Sequence, residues 1–169
     1  MRKALNLLMA TSVLVAQAPA AKVDPFASLR FLVGTWQMAD ADGTPGKAGQ
    51  GEFSLLPELG GQALIRRSFA EYPAQGGRPA FRHDDLMWIY LENGKLKALY
   101  GDNEGHVIHY DVATPPGSDR VVFQSAGEGP RFRLTYAPAG AGSVDLAFDI
   151  AAPAKDFANY IKAKVRRKN

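Results

Sequence analysis

The chain has 169 residues, of which 46% are hydrophobic and 22% charged, with no cysteine and a formal net charge of +3. This is the composition of one ordinary globular domain, long enough to bury a core without metals, and it excludes disulfide staples and cysteine nucleophiles. The near balance of charge excludes the concentrated basic face that a phosphate backbone demands, so nucleic acid is not an expected partner.

The first twenty residues read as a secretory signal peptide. Arg2 and Lys3 form a positive start, Ala4 to Ala16 an apolar core, and Ala18-Pro19-Ala20 a small-residue cleavage signal. The apolar core is too short to span a bilayer comfortably, and no cysteine is present to carry a lipid. The expected protein is therefore residues 21–169, periplasmic or secreted, without a stable membrane anchor. Loss of residues 1–20 leaves 18 basic against 17 acidic residues, a charge of +1. The basic run from Lys162 to Lys168 reads as a solvated last strand.

From Pro25 to Leu32, Phe26, Leu29 and Leu32 recur at spacings of three, which predicts one helical turn. Ten strand-length segments then alternate with turn signals. They are Thr35–Ala39, Gln50–Leu56, Gln62–Tyr72, Asp84–Glu92, Lys95–Tyr100, His106–Val112, Arg120–Ser125, Arg131–Ala137, Ser143–Ile150 and Tyr160–Arg167. Asp84–Glu92 is apolar on both faces, as in a strand buried on both sides. Asn93-Gly94 is a two-residue hairpin turn that tolerates positive φ. Ser143–Ile150 alternates strictly, with Val144, Leu146, Phe148 and Ile150 on the buried face. Residues 40–49 read as a loop and Pro153 to Asn159 as a short helical turn. The sum is an all-β fold, an antiparallel up-and-down barrel of about ten strands.

The candidate ligand-binding residues are polar and aromatic side chains on strand faces that can be argued inward: Arg67, Trp88, Tyr100, His106, Tyr110, Tyr136 and Phe148, with Phe53 and Phe132 beside them. Lys95, Lys97, Arg131 and Arg133 mark the opposite, wet faces. An inward Arg67 beside Ile65 and Phe69 needs a partner, because a buried guanidinium must be paired. An acidic ligand group or Glu71 would serve. Plain core packing accounts for each residue singly; together they favour a partly polar cavity.

Other chemistry is weakly supported. His106 and His109 stand three apart on a strand and should point to opposite faces, a poor chelate, so no metal site is expected. Asp102 and Glu104 read as turn residues. In the Asp84-Asp85 pair one should cap a turn and the other face solvent. No Gly-x-Ser-x-Gly elbow exists, and the Gly43 to Ala48 loop lacks the residues of a phosphate loop.

Gly34-x-Trp36 at the head of the first strand, after a helical turn, resembles the signature of the lipocalin and calycin superfamily. The longer run Phe31-Leu32-Val33-Gly34-Thr35-Trp36, followed by Leu59-Gly60-Gly61-x-Ala63-Leu64, is similar to a bacterial family of exported lipocalin-like domains related to nitrobindin and the fatty-acid-binding barrels. The resemblance implies a barrel with an interior cavity for a small apolar or amphipathic ligand. It implies also that a basic side chain of the last strand lies over the tryptophan, here Arg167, with Arg166 as the alternative. Haem in nitrobindin-like relatives is held by a histidine near the C-terminus, and this chain has none after His109, so no cofactor is expected.

The sequence thus reads as an exported, non-catalytic barrel that binds a small ligand. Two other readings stay open: an enzyme acting on a small molecule in the same cavity, and a filled-barrel structural or interaction module. Ligand identity and oligomeric state are not legible.

Overall fold

The structure, a computed structural model, describes residues 24–39, 50–74 and 76–168. The expected signal peptide and the loop 40–49 lie outside these residues. A 3-10 helix over Ala27–Leu32 leads into ten strands: β1 (Gly34–Ala39), β2 (Gln50–Glu58), β3 (Ala63–Tyr72), β4 (Phe81–Glu92), β5 (Lys95–Asp102), β6 (Val107–Ala113), β7 (Val121–Ser125), β8 (Arg131–Pro138), β9 (Ser143–Ala151) and β10 (Ala158–Arg167). Each strand pairs antiparallel with the next, and β1 pairs with β10, so the sheet closes into a barrel. Closure leaves no edge strand. The up-and-down barrel and its helical turn are as the sequence predicts.

Local chemistry explains the connections. Asn93 and Gly94 take φ of 50° and 75°, the pair of positive values a tight hairpin turn needs. They lock Glu92 opposite Lys95 and Tyr90 opposite Lys97. The expected helical turn after Pro153 is absent: residues 152–157 form a turn with Ala154 at φ 57°. Arg131 and Arg133 reach over the Phe157 ring there, at 5.0 and 4.2 Å.

One end of the barrel is plugged. Phe26, Leu29 and Leu32 of the 3-10 helix are buried against Trp36, Phe53, Leu55 and Val165. The Trp36 indole donates to the carbonyl of Leu32 at 2.7 Å, so the buried N–H is satisfied within the plug. Arg167 covers the outside of this plug, its guanidinium 4.4 Å from the Trp36 ring. It also donates from Nη1 to the Val33 carbonyl (2.8 Å) and from Nη2 to the Phe31 carbonyl (3.2 Å). Gly34, at φ 130°, passes beneath; a Cβ there would sit 2.3 Å from Arg167 Nη1.

Candidate functional site

The opposite end of the barrel interior is polar. Period-two alternation along β4 sends His83, Asp85, Met87 and Ile89 inward, and the register sets Asp85 against both Ser68 and Asp102. Arg66 stands opposite Met87 on β3 and reaches diagonally to Asp85, donating from Nη1 to Oδ1. Both partners are buried; Arg66 is only 8% exposed. Its guanidinium also lies over the Phe53 ring at 5.1 Å.

The turn between β5 and β6 completes the cluster. Asp102 Oδ1 accepts from the backbone N–H groups of Glu104 (3.0 Å) and His106 (2.9 Å). Its Oδ2 accepts from the Tyr100 hydroxyl at 3.1 Å and lies 2.9 Å from His106 Nδ1. Asn103 ties this turn to β4, exchanging two hydrogen bonds with the Asp84 backbone and donating to the Arg82 carbonyl. His83 is held between Glu104 Oε1, 2.7 Å from Nδ1, and the Tyr100 oxygen, 3.1 Å from Nε2. Asp85 Oδ2 lies 3.7 Å from the same Nε2.

The electrostatics follow from burial. Burial weakens the charge on Arg66, but the adjacent Asp85 carboxylate, joined by the Tyr136 and Tyr100 oxygens, outweighs it and raises its pKa. Burial pushes the phenols of Tyr100, Tyr110 and Tyr136 well above their ordinary value. They therefore remain protonated hydrogen-bond donors. Asp102 is held below the usual carboxylate value: burial opposes this, and the hydrogen bonds from His106, Tyr100 and Glu104 prevail. Arg66 Nε and the Tyr136 hydroxyl make no hydrogen bond of good geometry with any described residue, yet the two side chains lie close enough that Arg66 opposes the effect of burial on the Tyr136 phenol. Such atoms are costly in a closed interior.

The inward side chains become more accessible toward this end. Trp36, Phe123 and Tyr136 are fully buried, whereas Tyr100, Ile108, Phe132 and Phe148 pack on the core yet are only half-buried. Phe132 and Phe148 stack with centroids 6.2 Å apart. His83, Asp102 and Glu104 bring one ligand atom each within 4.8 Å of one another. These three could converge on a cation, although in this arrangement every one is engaged by hydrogen bonds.

Of the residues proposed from sequence, Tyr100, Tyr110, Tyr136 and Phe148 lie inside. Three do not. Arg67 is exposed on the outer wall and Arg66 is the inward arginine. The odd face of β3, with Ile65 and Phe69, is the more apolar one, yet it faces outward. Trp88 is 41% exposed on the outer wall, while Met87 and Ile89 fill the core. His106 sits at the rim on the β5–β6 turn, its side chain 59% exposed, because β6 begins only at Val107. Asp85 does not face solvent but pairs with Arg66; Asp84 is the exposed member, bound by Arg82.

Arg66, His83, Asp85, Asp102 and Glu104 were missed. A signal for β4 existed. The Asn93-Gly94 hairpin places Tyr90 opposite Lys97, and Lys97 marks a wet face. Tyr90, Trp88 and Leu86 must then point outward, and His83 and Asp85 inward.

Fold and site together define a closed ten-stranded barrel, plugged at one end and lined at the other by an arginine–carboxylate–tyrosine–histidine cluster. No protein-family model matches the chain, and no curated protein matches it.

Proposed function

We propose that this chain is an exported, non-catalytic barrel, akin to the lipocalin-like domains, that binds one small amphipathic molecule through its open end. The apolar body of the ligand lies against Phe132, Phe148 and Ile108. Its polar, acidic end meets Arg66 and Tyr136. The observation that carries this reading is that Arg66 Nε and the Tyr136 hydroxyl, neighbours in the interior, make no hydrogen bond of good geometry with any described residue, below a set of half-buried inward aromatics. A carboxylate accepting from both would meet the deficit. The direction of the tyrosine shifts disfavours a tyrosine as general base. A phenol working as a base needs a lowered pKa, whereas burial raises these, and Tyr100 donates to Asp102.

Native mass spectrometry of protein gently isolated from its own periplasm tests this. A bound small molecule is expected, together with a thermal shift on adding a fatty acid to the stripped protein. Empty protein that responds to no fatty acid, isoprenoid or haem would refute the carrier reading.

A further inference from the structure

The outer wall of the barrel is divided. On β8 to β10 it carries charged side chains in cross-strand pairs, Arg133 with Asp149 and Lys164 with Asp145. On β2 to β6 charged side chains, among them Glu52, Glu71, Arg82, Asp84, Lys97 and Asp111, border an apolar set. Leu56, Leu86, Trp88 and Val107 are exposed, Val107 to 68%; Ile65 stands between Leu56 and Trp88, Leu99 beside Trp88, and Gly101 between Leu86 and Val107. Lone apolar residues on a surface need no explanation, but a contiguous set marks a contact site. The set is also concave. Ser54 and Gly101 keep the floor low, and the groove, bordered also by Asp85, Tyr100 and Asp102 of the polar end, encloses about 830 Å³, the size of a small-molecule site.

The charges bordering the groove are mostly satisfied. Arg82 is bound by Glu71 and Asp84, and Glu52 by Lys168. Arg67 differs: it lines the groove between Ser54 and Leu86 and makes no ion pair or hydrogen bond with any described residue. An exposed cation without an ion-pair partner beside Leu86 and Trp88 can take the anion of an apolar chain, the acidic groups of the groove being engaged by other residues. It also disfavours two-fold pairing of two such faces, which would bring the arginines of both copies together.

We propose that this groove is a second binding site, distinct from the Arg66–Tyr136 site of the interior, for an alkyl carboxylate. Its chain lies along Leu86, Trp88, Leu99 and Val107, and its carboxylate takes the Arg67 guanidinium. In its middle, at Leu86 and Trp88, β4 is apolar on its outer side as well as its inner one, and the ligand covers that outer side.

Trp88 provides the readout, since the only other tryptophan, Trp36, is buried in the plug at 2% exposure. Dodecanoate, added below its micelle concentration, is expected to blue-shift the Trp88 emission and shield it from acrylamide. Arg67→Gln should weaken this response about tenfold, and dodecyltrimethylammonium should not reproduce it. Tyr136→Phe, which alters only the interior, should leave it unchanged, so failure of this site and failure of the interior site are distinguishable. The proposal is overturned if dodecanoate leaves Trp88 unaffected, if Arg67→Gln binds as well as wild type, or if Tyr136→Phe abolishes the response. It is overturned equally if sedimentation shows a dimer that Trp88→Glu dissociates, or if phosphatidylglycerol vesicles bind the face and dodecanoate does not.

Discussion

Arg167 and Trp36 stand opposite one another in the β1–β10 register, and the guanidinium lies 4.4 Å from the indole. The same arginine ties down the carbonyls of Phe31 and Val33. One side chain therefore fastens the plug, the first strand and the last.

Arg167→Met should lower stability by about 1–3 kcal/mol, combining a cation–π contact and two charge-assisted hydrogen bonds at a partly exposed site. Gly34→Ala should also destabilise, by about 1–3 kcal/mol, through the strained φ and the displaced guanidinium. The two should not add, because displacing Arg167 is part of the alanine cost. Urea unfolding of the two singles and the double tests this; full additivity would contradict a shared contact.

Arg66 and Asp85 make the buried ion pair. Removing either partner leaves the other charge stranded, so Arg66→Met and Asp85→Asn should each cost about 3–5 kcal/mol. The double substitution should cost less than either single change, as read from denaturant midpoints. A double mutant worse than both singles would argue against this pairing.

Tyr136→Phe removes a hydroxyl that lies near Arg66 but makes no hydrogen bond of good geometry with any described residue. Deleting an unsatisfied buried group should leave the stability of the ligand-free protein unchanged or raise it by about 1 kcal/mol. Affinity for the interior ligand should fall at the same time. A loss of more than 1 kcal/mol in the ligand-free protein, measured by thermal unfolding, would show that the hydroxyl already has a partner.

Asp102 supplies a pH dependence. Its native pKa lies below the ordinary value of 3.8, so the folded state binds its proton less readily than the unfolded state. Its contribution is fully present above the unfolded value and is lost as pH falls below about 4 toward the folded value. The stability gap between wild type and Asp102→Asn should be widest near neutral pH and shrink in acid. A gap of equal size at pH 3 and pH 7 would rule out this linkage.

The fold was legible because alternation, turn chemistry and the Gly34-x-Trp36 run agree. The site was less so, because inward and outward faces of β3 and β4 are both apolar. Along β3, Ile65 and Phe69 outweigh Ser68 and Ala70 in hydrophobicity, which points to the wrong face. Asp102 looks like a turn residue and is one, binding the Glu104 and His106 backbone. Nothing local announces that its other oxygen turns inward to Tyr100. That fact depends on strands meeting from distant parts of the chain.

Pairing of β1 with β10 has a consequence for how the chain is made. The first strand finds its second neighbour only when residues 164–167 exist. Until the ribosome has delivered them, no closed form is available, and every shorter chain carries two open strand edges. Contacts so remote in sequence form slowly. Closure of the seam between the first and last strands is thus a late step of folding.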